Sequence, residues 1–179
     1  METPEGNILK IFITENILKR WFYPKSKRFI TLAQHLTQRG IHTIEPNAYY
    51  YYPEKHYEII IYPKLAGTNL HQAAQQQPEV LLPLLAHYLA QLHHKNIYFR
   101  GGHLGNILLT PDNQFALIDI GNMRLQISDR QRLKNIDYIT GYPDDAELFT
   151  NFGIEKFIEI YQAHYQALAK KLHQPNHSI

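Results

Sequence analysis

Apolar and polar residues along this chain fall into the two periods that separate strands from helices. Near the start, Ile8-Leu9-Lys10-Ile11-Phe12 is an apolar run carrying one lysine, which predicts a strand. Beyond Pro24, Phe29, Leu32, Ala33 and Leu36 recur at i, i+3, i+4 and i+7, the spacing of one helical face, and Gly40 is its natural stop. Tyr49 to Tyr52, then Pro53-Glu54-Lys55, then Tyr57-Glu58-Ile59-Ile60-Ile61-Tyr62 predict a hairpin. Pro63 to Gly67 breaks the pattern. A second amphipathic helix is predicted around Leu81, Leu84, Leu85, Tyr88 and Leu92.

After that helix come Ile97-Tyr98-Phe99 and a glycine-containing loop from Arg100 to Asn106. Two short apolar runs, Ile107-Leu108-Leu109 and Phe115-Ala116-Leu117-Ile118, flank Thr110-Pro111-Asp112-Asn113-Gln114, a strong turn. A last helix places Ile154, Phe157, Ile158, Tyr161, Tyr165, Leu168 and Leu172 on one stripe. The three glutamines at 75–77 read as a polar loop, and 174–179 as a frayed tail. Strands come first and helices dominate the second half, an α+β layout with a small sheet and a helical part.

Composition narrows the function classes. With 179 residues the chain fits one domain, and 44% apolar against 19% charged residues is ordinary for a globular protein. The absence of cysteine excludes disulfides and thiolate metal sites. No apolar run reaches the ~18–20 residues that span a bilayer. The polar start, Met1 to Asn7, has neither the basic nor the apolar part of a signal peptide. A soluble or peripheral, cytoplasmic protein is expected. A net charge of +2 gives no reason to expect a nucleic-acid partner. Its distribution matters more, since Lys19, Arg20, Lys25, Lys27, Arg28 and Arg39 lie in a stretch free of acids between Glu15 and Glu45. With Trp21, Phe22 and Tyr23 nearby, that run suits an anionic membrane surface, or a helix with a solvated basic face.

The chemistry concentrates in Phe99-Arg100-Gly101-Gly102-His103-Leu104-Gly105-Asn106 and in Asp119-Ile120-Gly121, thirteen residues beyond Asn106. A loop asparagine, a hairpin and an aspartate before an apolar residue and glycine suit magnesium. The hairpin returns the chain, so that an amide oxygen and a carboxylate can share one hard cation. So few protein ligands suffice only when phosphates supply the rest.

Those residues carry a resemblance. Phe99-Arg100-Gly101 to Asn106 resembles the H-R-D-x-x-x-x-N catalytic loop of protein kinases, and Asp119-Ile120-Gly121 resembles D-F-G. Lys10 falls where the phosphate-pairing lysine of V-A-I-K would, and Tyr57 to Gly67 resembles the last small-lobe strand and hinge. More narrowly, His103-Leu104-Gly105-Asn106-Ile107-Leu108 and Leu117-Ile118-Asp119-Ile120 are similar to the lipopolysaccharide core (Kdo and heptose) kinases and the related toluene tolerance proteins. The resemblance covers about residues 8 to 165, and its specific part is 97–124.

It implies a shortened, two-lobe protein-kinase-like fold within 1–179, with a small β-rich lobe at about 8–66 and a helical lobe at about 67–173. It implies ATP and Mg²⁺, with Lys10 on phosphates and Asn106 and Asp119 on metal. The implied acceptor is a sugar of the lipopolysaccharide core at the inner face of a bacterial membrane, reached through Lys19, Arg20, Lys25, Lys27 and Arg28. The departures imply an alternative. Gly101 stands where the catalytic aspartate belongs, the helix after Pro24 has no acidic partner for Lys10, and nine residues before Lys10 leave no room for a glycine-rich lid. A pseudokinase acting as a nucleotide-, partner- or membrane-binding scaffold is the second reading.

His103 falls where kinases place a phosphate-contacting lysine, and is the candidate phosphate contact or improvised base. General-base help is worth about 10²–10⁴ in rate, so its loss slows transfer without forbidding it. Arg100 reads as a structural anchor of the loop. His93 and His94 read as cations at a helix C-terminus, and no histidine pair has zinc spacing with a third ligand.

Overall fold

The computed structural model describes residues 1–13 and 25–172, and the contacts divide them into two compact units. Lys19, Arg20 and the aromatics at 21–23, like the tail at 174–179, lie outside the described residues. Among the described residues, the first unit comprises 1–13, 25–67 and 108–121, and the second 68–107 and 122–172.

In the first unit, β1 (Asn7–Ile13), β2 (Ala48–Tyr52) and β3 (Tyr57–Pro63) form an antiparallel sheet in the order β1-β3-β2. Register pairs Lys10 with Ile60 and Tyr49 with Ile60, so these three side chains share a face. That face is covered by α1 (Lys25–Gln38), where the i, i+3, i+4, i+7 stripe buries Phe29, Leu32, Ala33 and Leu36. Gly40 lies just past the helix with φ +68, a conformation that favours glycine. A short 3₁₀ turn, Pro53–Lys55, joins β2 to β3. All four tyrosines of β2, an edge strand, are exposed, so they belong to the surface rather than the core.

From Leu108 onward, the hairpin of β5 (Ile107–Leu109) and β6 (Phe115–Leu117) belongs to the same unit. Its inner strand is tied to the chain after α1: Leu117 N donates to His42 O at 2.9 Å, and the buried Thr43 hydroxyl donates to Leu117 O at 2.8 Å. Gly67, with φ +153, lies against this hairpin, where a Cβ would stand 2.7 Å from Leu109 O. These ties put the residues after β6 beside the sheet.

The second unit is helical apart from the short β4 (Thr68–Asn69): α2 (Leu70–Gln76), α3 (Pro78–His94), α4 (Asp129–Thr140), α5 (Ala146–Phe152) and α6 (Ile154–Leu172). Helices α3 and α6 pack side by side, with His87 stacked on His164 at 4.4 Å and His93 edge-on to Tyr161. Two expectations fail here. Gln75 and Gln76 are helical, because Asn69 caps α2 by accepting from His71 N. Leu84 is exposed, and Leu82 and Leu89 are buried in its place, because α3 is covered on more than one side. A capping box, Ser128 with Gln131, starts α4. Among the described residues, no helix is long and apolar enough to cross a membrane.

Candidate functional site

Lys10 and Asp119 are 109 positions apart in sequence and form an ion pair within the first unit. Lys10 extends from the α1-facing side of β1, its ammonium 5.0 Å from the centre of the buried Phe29 ring. The aromatic face contributes a cation–π attraction on one side, and the Asp119 carboxylate supplies the counter-charge on the other. Asp119 follows β6 with φ +51, an uncommon backbone state for a residue with a side chain. Such outliers cluster where geometry serves a purpose other than stability. Tyr62 lies on the same side of the sheet. Burial raises its phenol above the ordinary range, with the Asp119 charge adding to the effect, so it stays neutral.

This pair is not a stability device. The Asp119 side chain is 56% exposed, and ion pairs in that setting are worth about 0–1 kcal/mol. The arrangement holds a lysine and a carboxylate together at an accessible edge.

In the second unit the loop Arg100 to Asn106 is held from three sides. At its start, the buried Asn135 of α4 brackets Phe99, donating to its carbonyl at 2.9 Å and accepting from its N–H at 3.2 Å. At its far end the buried Asp145 accepts from Leu104 N at 2.9 Å, and its other oxygen meets His71 Nδ1 at 2.7 Å. Asn69 Nδ2 donates to Gly105 O at 2.8 Å. Within the loop, Asn106 Nδ2 donates to Gly101 O at 3.2 Å, which commits the amide nitrogen and leaves the amide oxygen as the acceptor end. Gly101 has φ +72, open space around its Cα and no carboxylate to offer.

His103 stacks on Tyr142 at 4.3 Å, nearly parallel, and its Nδ1 accepts from Gly105 N at 3.1 Å. Accepting at Nδ1 puts the proton of the neutral ring on Nε2. That tautomer can donate to an anion and has no free lone pair with which to take a proton. A Cβ on Gly105 would stand 2.7 Å from the His103 ring, so glycine there is what permits the bond.

Two of the remaining candidates depart from expectation. Arg100 is exposed, and among the described residues no hydrogen bond or ion pair of its guanidinium anchors the loop; Asn135, Asp145 and Asn69 do that. His93 is no surface cation. It is buried, and burial lowers its pKa to about 4, with Arg132's charge acting in the same direction and the Asn135 bond in the other. Lys25, Lys27 and Arg28 are exposed at the start of α1. Among the described residues no group of three His, Asp or Glu side chains could hold a metal by itself. Asp119 brings one carboxylate in the first unit and Asn106 one amide oxygen in the second; each is a hard oxygen that suits magnesium only as one ligand of a set completed by others.

Sequence reasoning missed Asn69, His71, Asn135 and Asp145. Asp145 sits in Pro143-Asp144-Asp145, which reads as a turn, and Asn135 is one polar residue in a polar helix. Neither carries a local signal, because its partner is a distant backbone group.

No family model and no curated protein matches the sequence. Among solved structures the chain is similar to WbdD, in its co-crystal with the kinase inhibitor LY294002, with a TM-score of 0.52 and 16% identity. The match covers 92% of this chain and 42% of that one, so this chain spans less than half the length of that protein. At this identity the likeness speaks for fold alone. The chain has a shortened protein-kinase-like fold.

Proposed function

We propose that this chain is a divergent kinase-like phosphotransferase that uses ATP and magnesium, with a sugar of the lipopolysaccharide core as acceptor. The observation that carries the reading is the Lys10–Asp119 ion pair, a cation and a left-handed aspartate brought together from opposite parts of the chain. Lys10 would hold phosphate oxygens, and Asp119 would turn its carboxylate to the metal. Asn106 enters through its sequence spacing from Asp119 and through an amide whose nitrogen is already committed. Magnesium, when bound, neutralises charge on the transferring phosphoryl group. His103 would serve as a donor from Nε2, since its Nδ1 is occupied.

Gly101 favours a second reading, a pseudokinase that holds nucleotide without turnover, because no carboxylate stands there to orient an acceptor hydroxyl. Thermal melts with and without Mg-ATP, run beside Asn106→Ala and Asp119→Ala, test the shared premise. Ligand at 100 times its dissociation constant adds about 2.7 kcal/mol, or several degrees for a domain of this size. A magnesium-dependent shift lost in both variants is the expected outcome. No shift at millimolar nucleotide would sink both nucleotide-binding readings. Label transfer from γ-labelled ATP to isolated lipopolysaccharide core then separates the enzyme from the scaffold.

A further inference from the structure

The α1-facing side of the β1-β3-β2 sheet presents one basic and one acidic side chain. Register places Ile8, Lys10 and Phe12 of β1 on that face with Glu58, Ile60 and Tyr62 of β3 and Tyr49 and Tyr51 of β2. Lys10 lies opposite Ile60 and Phe12 opposite Glu58, so Lys10 and Glu58 are diagonal neighbours. Diagonal Cβ atoms stand roughly 7–8 Å apart, within reach of long side chains.

Glu58 is 3% exposed. One of its oxygens accepts from Tyr49 OH at 2.7 Å, and the other, Oε2, is buried with no hydrogen-bond partner. The Ser26 hydroxyl, at the start of α1, is buried beside Tyr49. A buried carboxylate oxygen left unpaired is costly, and such groups in native proteins call for an explanation. No acidic residue on α1 competes for Lys10, because the helix contains none.

We infer that Glu58 is a second station for the Lys10 ammonium. Lys10 pairs with Asp119 in this structure. When the Asp119 carboxylate is engaged elsewhere, Lys10 turns along the sheet to Glu58, which then fixes the base of the lysine in the fold. This takes Asp119's engagement by metal from the proposed function, but the exchange itself needs only the loss of Asp119 as a partner. The role missing from α1 is supplied from a strand.

The test removes Asp119's charge without nucleotide. In an Asp119→Asn background, Lys10→Met and Glu58→Gln are combined as a double-mutant cycle followed by thermal melting. Glu58→Gln is expected to lower the melting temperature by about 3–6 °C more when Lys10 is present than when it is Met. Additive effects in that background would overturn the inference, whatever the Mg-ATP melts show. If the combined variants do not melt cooperatively, a crystal structure of the Asp119→Asn protein decides. Lys10 Nζ within about 4 Å of a Glu58 oxygen supports the second station, and Lys10 directed to solvent refutes it.

Discussion

In the first unit Lys10 and Asp119 meet at an accessible edge, whereas in the second His93, Asn135, Tyr161 and Arg132 join in a largely buried network with an ordered set of protons. Asn135 Nδ2 donates to Phe99 O, so its oxygen accepts from Phe99 N and from His93 Nε2 at 3.0 Å. His93 Nδ1 then accepts from Tyr161 OH at 2.8 Å, and that oxygen accepts from Arg132 at 3.3 Å. Burial pushes the Tyr161 phenol up to about 12 and keeps His93 neutral. One constellation is open to solvent; the other is largely buried. The difference shows how burial sets what a polar group contributes to stability. Buried and satisfied they fix structure, and exposed and paired they contribute little stability and remain available to a ligand.

The comparison breaks first at Asn135. Asn135→Ala strands the Phe99 N–H and carbonyl and the His93 N–H together, each costing about 1–3 kcal/mol. A loss on the order of 4 kcal/mol is expected, seen as a lower denaturant midpoint or melting temperature. An effect under about 1 kcal/mol would mean that the network is not structural.

Acid is the next probe. His93 has a folded pKa of about 4 against an ordinary value of 6.5, so between these limits the unfolded chain binds more protons. Stability therefore rises with pH: the His93 contribution is complete above about pH 6.5 and is lost as pH falls towards 4. Its size is on the order of 3 kcal/mol. The slope of stability against pH over that window should shrink in His93→Gln.

Asp145→Ala removes the acceptor for Leu104 N and the partner of His71. About 2 kcal/mol is expected, with faster amide exchange at Leu104 and Gly105 as the local readout. The smallest stability effect belongs to Lys10→Met, below about 1 kcal/mol. That variant should nevertheless abolish the Mg-ATP melting shift. A large stability loss with the shift retained would reverse the contrast between the two constellations.

Elements with a strong period are legible in the amino-acid pattern. The β1 and β3 runs, the α1 stripe through Phe29 and Leu36, and the hairpin at 107–117 stand where the pattern puts them. The short helices α2 and α5, seven residues each, are not legible, because a helix of two turns shows too few repeats to declare a face. Candidate site residues divide in the same way. Motif spacing singles out Lys10, Asn106 and Asp119, while Asn135 and Asp145 act on backbone groups that no spacing names.

By itself, then, the sequence determined the order of the strongly periodic elements, the apolar stripe of α1 and the positions of Lys10, His103, Asn106 and Asp119. Those features are local, fixed by periodicity and turn chemistry within a few residues. Only the tertiary structure decided that Lys10 is paired with Asp119 rather than free, that His103 spends Nδ1 on Gly105, and that Glu58 lies buried with an unused oxygen. The Lys10 pairing and the burial of Glu58 depend on which distant groups the packing brings together. The His103 bond spans two residues and depends on the loop conformation that Asn135, Asp145 and Asn69 hold. Burial then sets their worth, because the same carboxylate is cheap in water and costly in a core.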